Sequence, residues 1–178
     1  MKLIRKIADK ITRRNPIKYA RKIGVTIGNE CRLTGNPRWG SEPWLIQIGN
    51  HVLLSAEINF VTHDAATFLF RDTEEYKDVF KFAPIVIHDN CFIGMRSTLL
   101  PGIEIGPNSV VAAGSVVTRT IPPGEVWGGG VPAHFIETTK EYADKCKVNK
   151  LPYDIEAYKK DMKSEVLRAT HQVYGFFK

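Results

Sequence analysis

A chain of 178 residues with 43% hydrophobic and 25% charged residues has length for one domain with a core and is too polar for an integral membrane protein. Its net charge of +6 is uneven: residues 1–22 carry nine basic side chains against Asp9 alone, which leaves the remainder at −2. No apolar run reaches spanning length, no signal-type apolar block follows the N-terminal basic residues, and Cys31, Cys91 and Cys146 lack metal-ligand spacing, so a cytoplasmic location is expected.

Leu3, Ile4, Ile7 and Ile11 recur at helical spacing, which predicts an amphipathic helix over 2–14, broken near Pro16, inside a basic segment 1–22. It is read as a cap on the end of the fold, with weak membrane-surface contact as the alternative. A six-residue pattern then starts at Ile27 and Leu33, with Cys31 in a second, small-residue series. Residues 35–44 interrupt the phase, and it resumes at Ile48, Leu54 and Phe60.

The pattern is strongest over 87–117, where Ile87, Ile93, Leu99, Ile105, Val111 and Val117 follow one another every sixth residue. Six steps rotate a helical side chain by about 240° but keep a strand side chain on one face. Four residues after each aliphatic lie Cys91, Ser97, Ile103, Ser109, Ser115 and Ile121, mostly small, with turn formers such as Asp89-Asn90 and Pro101-Gly102 between. Short strand and turn at a fixed hexad is the signature of a parallel β-helix, whereas hairpins repeat about every 8–12 residues. The pattern does not fix the hand, and general chirality rules favour right-handed crossovers.

Phe60 and Ile87 are not separated by a multiple of six, so residues 62–84 are an insertion. Solenoid insertions gather on one face, often the binding face. The repeats end at Ile121-Pro122-Pro123-Gly124. Asp154 is expected to cap a C-terminal amphipathic helix with the stripe Ile155, Tyr158, Met162, Val166, Ala169 and Val173. The expected organisation is a basic helical segment 1–22, a β-helix 23–136 and a helical tail 137–178.

His63 stands where the last inward residue gives way to the insertion. Imidazole is the side chain suited to taking a proton near neutrality. From spacing alone, a surface or structural histidine is the better reading.

The order of motifs changes that weighting. Val61-Thr62-His63-Asp64, a variable loop, Pro84-Ile85-Val86-Ile87, Phe92-Ile93-Gly94, Leu100-Pro101-Gly102, Ala113-Gly114-Ser115-Val116-Val117-Thr118-Arg119 and Gly130-Val131-Pro132-Ala133 follow in sequence. This series resembles the galactoside, maltose and xenobiotic O-acetyltransferases of the hexapeptide-repeat family. Gly40-Ser41-Glu42-Pro43-Trp44-Leu45 resembles the branch that acetylates sugars of capsules and lipopolysaccharides. The likeness spans about residues 23–137.

It implies an all-β core, a left-handed parallel β-helix of hexapeptide repeats with N-terminal and C-terminal α-helices and an inserted active-site loop. It further implies a homotrimer with active sites between subunits, acetyl-CoA as co-substrate, no metal and a saccharide acceptor. His63 is then the general base, deprotonating an acceptor hydroxyl that attacks the thioester directly. Met95, Ala113, Gly114, Thr118, Arg119 and Pro132 match the acetyl-CoA strip, with backbone amides meeting the pantetheine arm and Arg119 a phosphate. Glu42, Asp64, Arg71 and Phe92 are candidate acceptor contacts. For the three charged residues solvation or an intersubunit ion pair is the alternative; for Phe92 it is an outward aromatic between subunits.

Two residues depart from the family pattern. Ala65-Ala66 replace a common pair of glycines, and Met95 replaces a small residue, narrowing the thioester approach. N-acetylation of an amino sugar and a non-enzymatic scaffold stay open as rival functions. The zinc carbonic anhydrases of the same fold need three histidines, and here His63 and His88 occur without a His-x4-His. The basic run lacks interleaved aromatics, so no nucleic-acid partner is expected.

Overall fold

The structure, a computed structural model, describes residues 15–175. The chain divides into two compact units, one ending at Thr139 and the other starting at Lys140. The helix expected over 2–14 lies outside the described residues.

The first unit is a stack of coils whose strands form three sheets. The first sheet holds β1 (Thr26–Ile27), β3 (Ile46–Ile48), β6 (Ile85–Ile87) and β9 (Ile103–Ile105). The second holds β2 (Arg32–Leu33), β4 (Leu53–Leu54), β7 (Phe92–Ile93), β10 (Val110–Val111) and β12 (Glu125–Gly128), and the third β5 (Asn59–Phe60), β8 (Thr98–Leu99) and β11 (Val116–Val117). All these neighbours pair in parallel, so the chain visits the sheets in rotation, as the hexads require.

Coil length is read from the register. Ile85 lies beside Ile103 and Phe92 beside Val110, 18 positions on, which is three hexads. Thr26 lies beside Gln47, 21 positions on, so residues 35–44 lengthen that coil by three. Ile46 lies beside Ile85 and Phe60 beside Leu99, both 39 positions on, so the insertion lengthens its coil by 21 and the register resumes unchanged.

The hexad aliphatics from Ile48 through Val117 are buried inside the prism, each contributing about 1.5–3 kcal/mol. Ile103 of the second series falls in β9, whereas Cys91, Ser97, Ser109 and Ser115 sit at the corners. There Ser97 Oγ donates to the Gly94 carbonyl at 2.7 Å, Ser115 Oγ to the Ala112 carbonyl at 2.6 Å and Cys91 Sγ to the Gly106 carbonyl at 3.2 Å. A small polar side chain thus fits the corner and pairs with a turn carbonyl, and its own buried hydroxyl or thiol is satisfied there. Glu57 and Arg96 at φ 59°, then Gly114 at φ 73°, take the left-handed conformation at one corner of successive coils. At Gly94 the next coil passes so near that a Cβ would collide with the Ala113 backbone.

Several elements differ from expectation. A short helix the sequence pattern did not reveal begins at Pro16: α1 (Pro16–Lys22) is capped by Asn15, whose side chain accepts from Lys18 N–H. Proline has no N–H to lose in a first turn, so it suits that place. Past the last coil, β13 (His134–Thr138) folds back antiparallel on β12, so strand structure runs beyond the expected limit at 136. A further helix, α2 (Thr139–Val148), follows.

In the second unit the single C-terminal helix is two, α3 (Ile155–Lys160) and α4 (Met162–Tyr174). Asp154 caps α3, accepting from Ala157 N–H at 2.7 Å. Asp161 leaves helical geometry at φ −149° and ψ 88°, and caps α4 through Ser164 N–H. Glu165 ties the pair, accepting from Asp154 N–H at 2.7 Å and from Arg168 at 2.6 Å. Among the described residues no helix is long and apolar enough to cross a membrane.

Candidate active site

His63 follows β5 by three residues, where the chain leaves the third sheet for the insertion. The neck of the insertion is closed by backbone pairing. Asp64 N–H donates to the Lys81 carbonyl at 2.9 Å, Ala83 N–H to the Thr62 carbonyl at 3.0 Å, and His63 bridges antiparallel to Phe82. The insertion is therefore a lobe with tied ends. It opens with a 3-10 turn, Ala65–Leu69, capped by Asp64 through Ala66 N–H at 3.0 Å.

Glu42 lies one coil away, just before a 3-10 turn, Pro43–Leu45. Its Oε2 accepts from Thr62 Oγ1 at 2.6 Å and from His63 Nδ1 at 2.8 Å. Glu42 and His63 are 21 positions apart, the offset that also places Arg38 beside Asn59 in that coil. Thr62 is buried, and the side chains of Glu42 and His63 are 15% and 35% exposed.

Burial raises the Glu42 carboxyl, but the hydrogen bonds from Thr62 and His63, with the His63 charge, outweigh it and hold the group below the usual range. An ionised carboxylate only accepts, so Nδ1 carries the hydrogen, and in the neutral form of the ring Nε2 keeps a lone pair. The ring is tilted against Phe82 with centroids 5.9 Å apart.

Two open cavities meet at His63. The larger, about 610 Å³, is lined by Val61, Ala65, Ala66, Leu100, Pro101 and Thr118. The smaller, about 210 Å³, is lined by Glu42, Thr67, Arg71, Phe80 and Phe82. Asp64, Ala65 and Lys81 line both. The larger volume is in the range of small-molecule sites.

Of the expected site residues, His63, Glu42, Asp64, Arg71 and Thr118 come together here. Asp64 has partners of its own: Ala66 N–H and then Lys81, at 3.1 Å, hold its carboxyl low against a smaller opposing effect of burial. Arg71 sets its guanidinium 4.5 Å above the Phe80 ring, and its buried Nε has no hydrogen-bond partner. Thr118 follows β11 at the corner where Leu100 and Val61 bond to neighbouring coils.

The other expected residues lie elsewhere. Met95, Ala113 and Gly114 occupy the corner between the second and third sheets. Met95 stands before β8 and Leu100 after it, at opposite ends of that strand. Phe92 is 39% exposed on the second sheet, between Leu53 and Val110. Exposed Arg119 places its guanidinium 5.3 Å from the Trp127 ring, and exposed Pro132 precedes Ala133, whose N–H donates to the Val116 carbonyl at 2.8 Å.

The strip at 113–114 is accessible, since a Cβ on Gly114 would meet nothing within 4 Å. Gly114 N–H donates to the Met95 carbonyl at 2.8 Å, so that N–H is used in stacking the coils.

Thr62, Lys81, Phe80 and Phe82 escape the sequence reading. Thr62 carried a signal, because it adjoins His63 and lies one coil from Glu42. The returning segment 81–83 carried none, since pairing across an insertion has no period.

Residues 84–119 match the family described as the hexapeptide repeat of succinyl-transferase. The chain is 42% identical over 131 residues to protein CapG of Staphylococcus aureus, covering 72% of this chain and 74% of CapG. It is 37% identical over 97 residues to the galactoside O-acetyltransferase of Escherichia coli K12, covering 53% of this chain and 45% of that protein. A hexapeptide-repeat acetyltransferase from Vibrio cholerae, solved in complex with acetyl-coenzyme A, superposes with a TM-score of 0.52 at 30% identity, over 65% of this chain and 60% of that one.

Proposed function

The chain belongs to the hexapeptide-repeat acetyltransferases, and from that premise we propose that it transfers an acetyl group from acetyl-CoA to a hydroxyl of a saccharide, with His63 as general base. The observation that carries this reading is the Glu42–His63 hydrogen bond beside the larger cavity. Glu42 fixes the tautomer in which Nε2 accepts, and Thr62 fixes Glu42. Its role is thus to position the ring, beside the acceptor contact expected of it as a residue lining the smaller cavity.

Acetyl-CoA, when bound, supplies the acetyl group already activated as a thioester. His63 takes the hydroxyl proton while the oxygen bonds to the acetyl carbon, and returns that proton to the departing sulfur. General base catalysis contributes about 10²–10⁴-fold, and Glu42 stabilises the imidazolium formed on the way. The acceptor is a polysaccharide or glycoconjugate precursor, a reading supported by the likeness of residues 40–45 to the branch that modifies such sugars.

The same reading takes the prism as left-handed and the assembly as a homotrimer. Thr118 adjoins His63, whereas Met95, Ala113 and Gly114 lie on another corner, so a strip passing all the expected positions draws on two chains. Exposed Phe68 and Leu69 on the lobe supply apolar surface for such a contact. The acetyl-CoA arm is then held along Ala113 and Gly114 of one subunit and ends at His63 of its neighbour.

Purified protein incubated with acetyl-CoA and free, nucleotide-linked and lipid-linked saccharides should add one acetyl group, read by mass and labile to base. A base-stable product would make the bond an amide and the activity N-acetylation. Absence of acetyl gain on every saccharide overturns the reading. Mixing His63→Ala subunits with Ala113→Trp subunits should restore a fraction of activity, and no recovery in verified mixed oligomers puts the site within one chain.

A further inference from the structure

We propose that the smaller cavity beside His63 receives an anionic group of the acceptor, a carboxylate or a phosphate carried on the sugar, with Arg71 as the residue that recognises it. This rests on the acyl-transfer reading above and adds the charge class of its acceptor.

Arg71 is half-buried in the lobe, and its Nε is buried without a hydrogen-bond partner. Phe80, 4.5 Å from the guanidinium carbon, stabilises the charge, yet satisfies none of its five N–H donors. The other charged groups on the cavity wall are matched. Glu42 is held by Thr62 and His63, and Asp64 by Ala66 N–H and Lys81. Among the described residues no carboxylate is paired with Arg71, so it is the uncompensated charge of this wall.

A buried donor without a partner is costly, and a bound anion removes that cost. The planar guanidinium presents a fork that fits a carboxylate or a phosphate with two parallel hydrogen bonds. Glu42 and the Lys81-paired Asp64 do not attract an anion, so the anionic end of the sugar is confined to the Arg71 side and a hydroxyl end faces His63. A neutral sugar leaves Arg71 unmatched and is discriminated against by that omission.

The test is steady-state kinetics with acetyl-CoA and configuration-matched methyl hexosides, methyl hexuronides and hexose phosphates, in wild type, Arg71→Met and Arg71→Lys. Wild type should favour an anionic acceptor over its neutral counterpart by about tenfold or more in kcat/KM, chiefly through KM. The uronide and phosphate arms distinguish the two sources of charge. Arg71→Met should bring the ratio towards one, and Arg71→Lys should keep part of it, since a point charge lacks the fork.

A further arm needs no variant. Raising salt from about 0.05 to about 0.5 M should raise KM for the anionic acceptor and leave that of the neutral one. A wild-type ratio near one, or a ratio unchanged in Arg71→Met, overturns the proposal and leaves acyl transfer standing. No acetyl transfer to any saccharide overturns both.

Discussion

From Ile85 to Val117 the chain repeats one operation every 18 positions, whereas between Thr62 and Pro84 nothing repeats. In the coils a residue's place in the hexad dictates its kind: Leu99 is aliphatic because it points inward, Ser97 small because it turns a corner. In the lobe, Phe68 and Leu69 are exposed, and Arg71, Lys81 and Asp64 stand in for an apolar core around His63. The frame draws on many equivalent positions, each replaceable by a residue of like size. The site draws on single residues at the one corner where the frame is interrupted. Loss of function and loss of stability should therefore separate along the chain.

His63→Ala should separate them most. Turnover should fall by about 10²-fold or more while acetyl-CoA binding and the thermal midpoint hold. Normal turnover in this variant would remove His63 as the base. In the coils the reverse applies. Leu99→Ala should cost about 2–5 kcal/mol in denaturant unfolding, as for other buried large-to-small changes. Thr98→Ala next to it should cost only about 0.5 kcal/mol, since Thr98 is half-exposed and accepts one long bond from Asn59 at 3.4 Å. Equal costs at the two positions would mean that the inward phase is not what holds the prism.

Glu42→Gln joins the two regions, because it keeps shape and removes charge. A charge-assisted hydrogen bond exceeds a neutral one by about 1–1.5 kcal/mol, so turnover should drop by about tenfold. Unchanged turnover would reduce Glu42 to packing.

The smallest effect is expected in the second unit. The hydrogen bond from Arg168, then that from Asp154 N–H, lower the Glu165 carboxyl from 4.5 to about 2, against burial. A depressed carboxyl contributes stability that is whole above about 4.5 and is lost as pH falls towards about 2. Acid titration of the α3–α4 pair, followed by NMR, should show that loss, and Glu165→Gln should flatten it. Identical profiles would leave the hydrogen bonds without consequence for folding.

The coils were legible because a strand side chain returns to the same face at every even step, so six-residue spacing transmits the architecture directly. His63 was legible only through the motifs around it, since a lone histidine beside a loop has no physical mark. Glu42 was placed near the acceptor, and its bond to His63 follows from a coil length of 21, the spacing of Ile27 from Ile48, which the pairing of Thr26 with Gln47 shows to be one full coil. The C-terminal stripe concealed a break because Tyr158 and Met162 keep four-residue spacing across Asp161. The helix from Pro16 went unread because seven residues are too few for an apolar stripe, although Asn15-Pro16 supplies a cap and a first-turn proline. The Arg71–Phe80 contact lies inside a segment with no period and left no trace.

The closed neck of the insertion has an evolutionary corollary. Its bonds join backbone atoms of residues 62–64 to those of 81–83, and the coils on either side keep one offset past it. Loop-closure entropy rises only slowly with length. Whatever lies between Ala65 and Phe80 can therefore be exchanged as a cassette, with the prism indifferent to its contents, and one scaffold can be retooled for a new acceptor by rewriting a single segment.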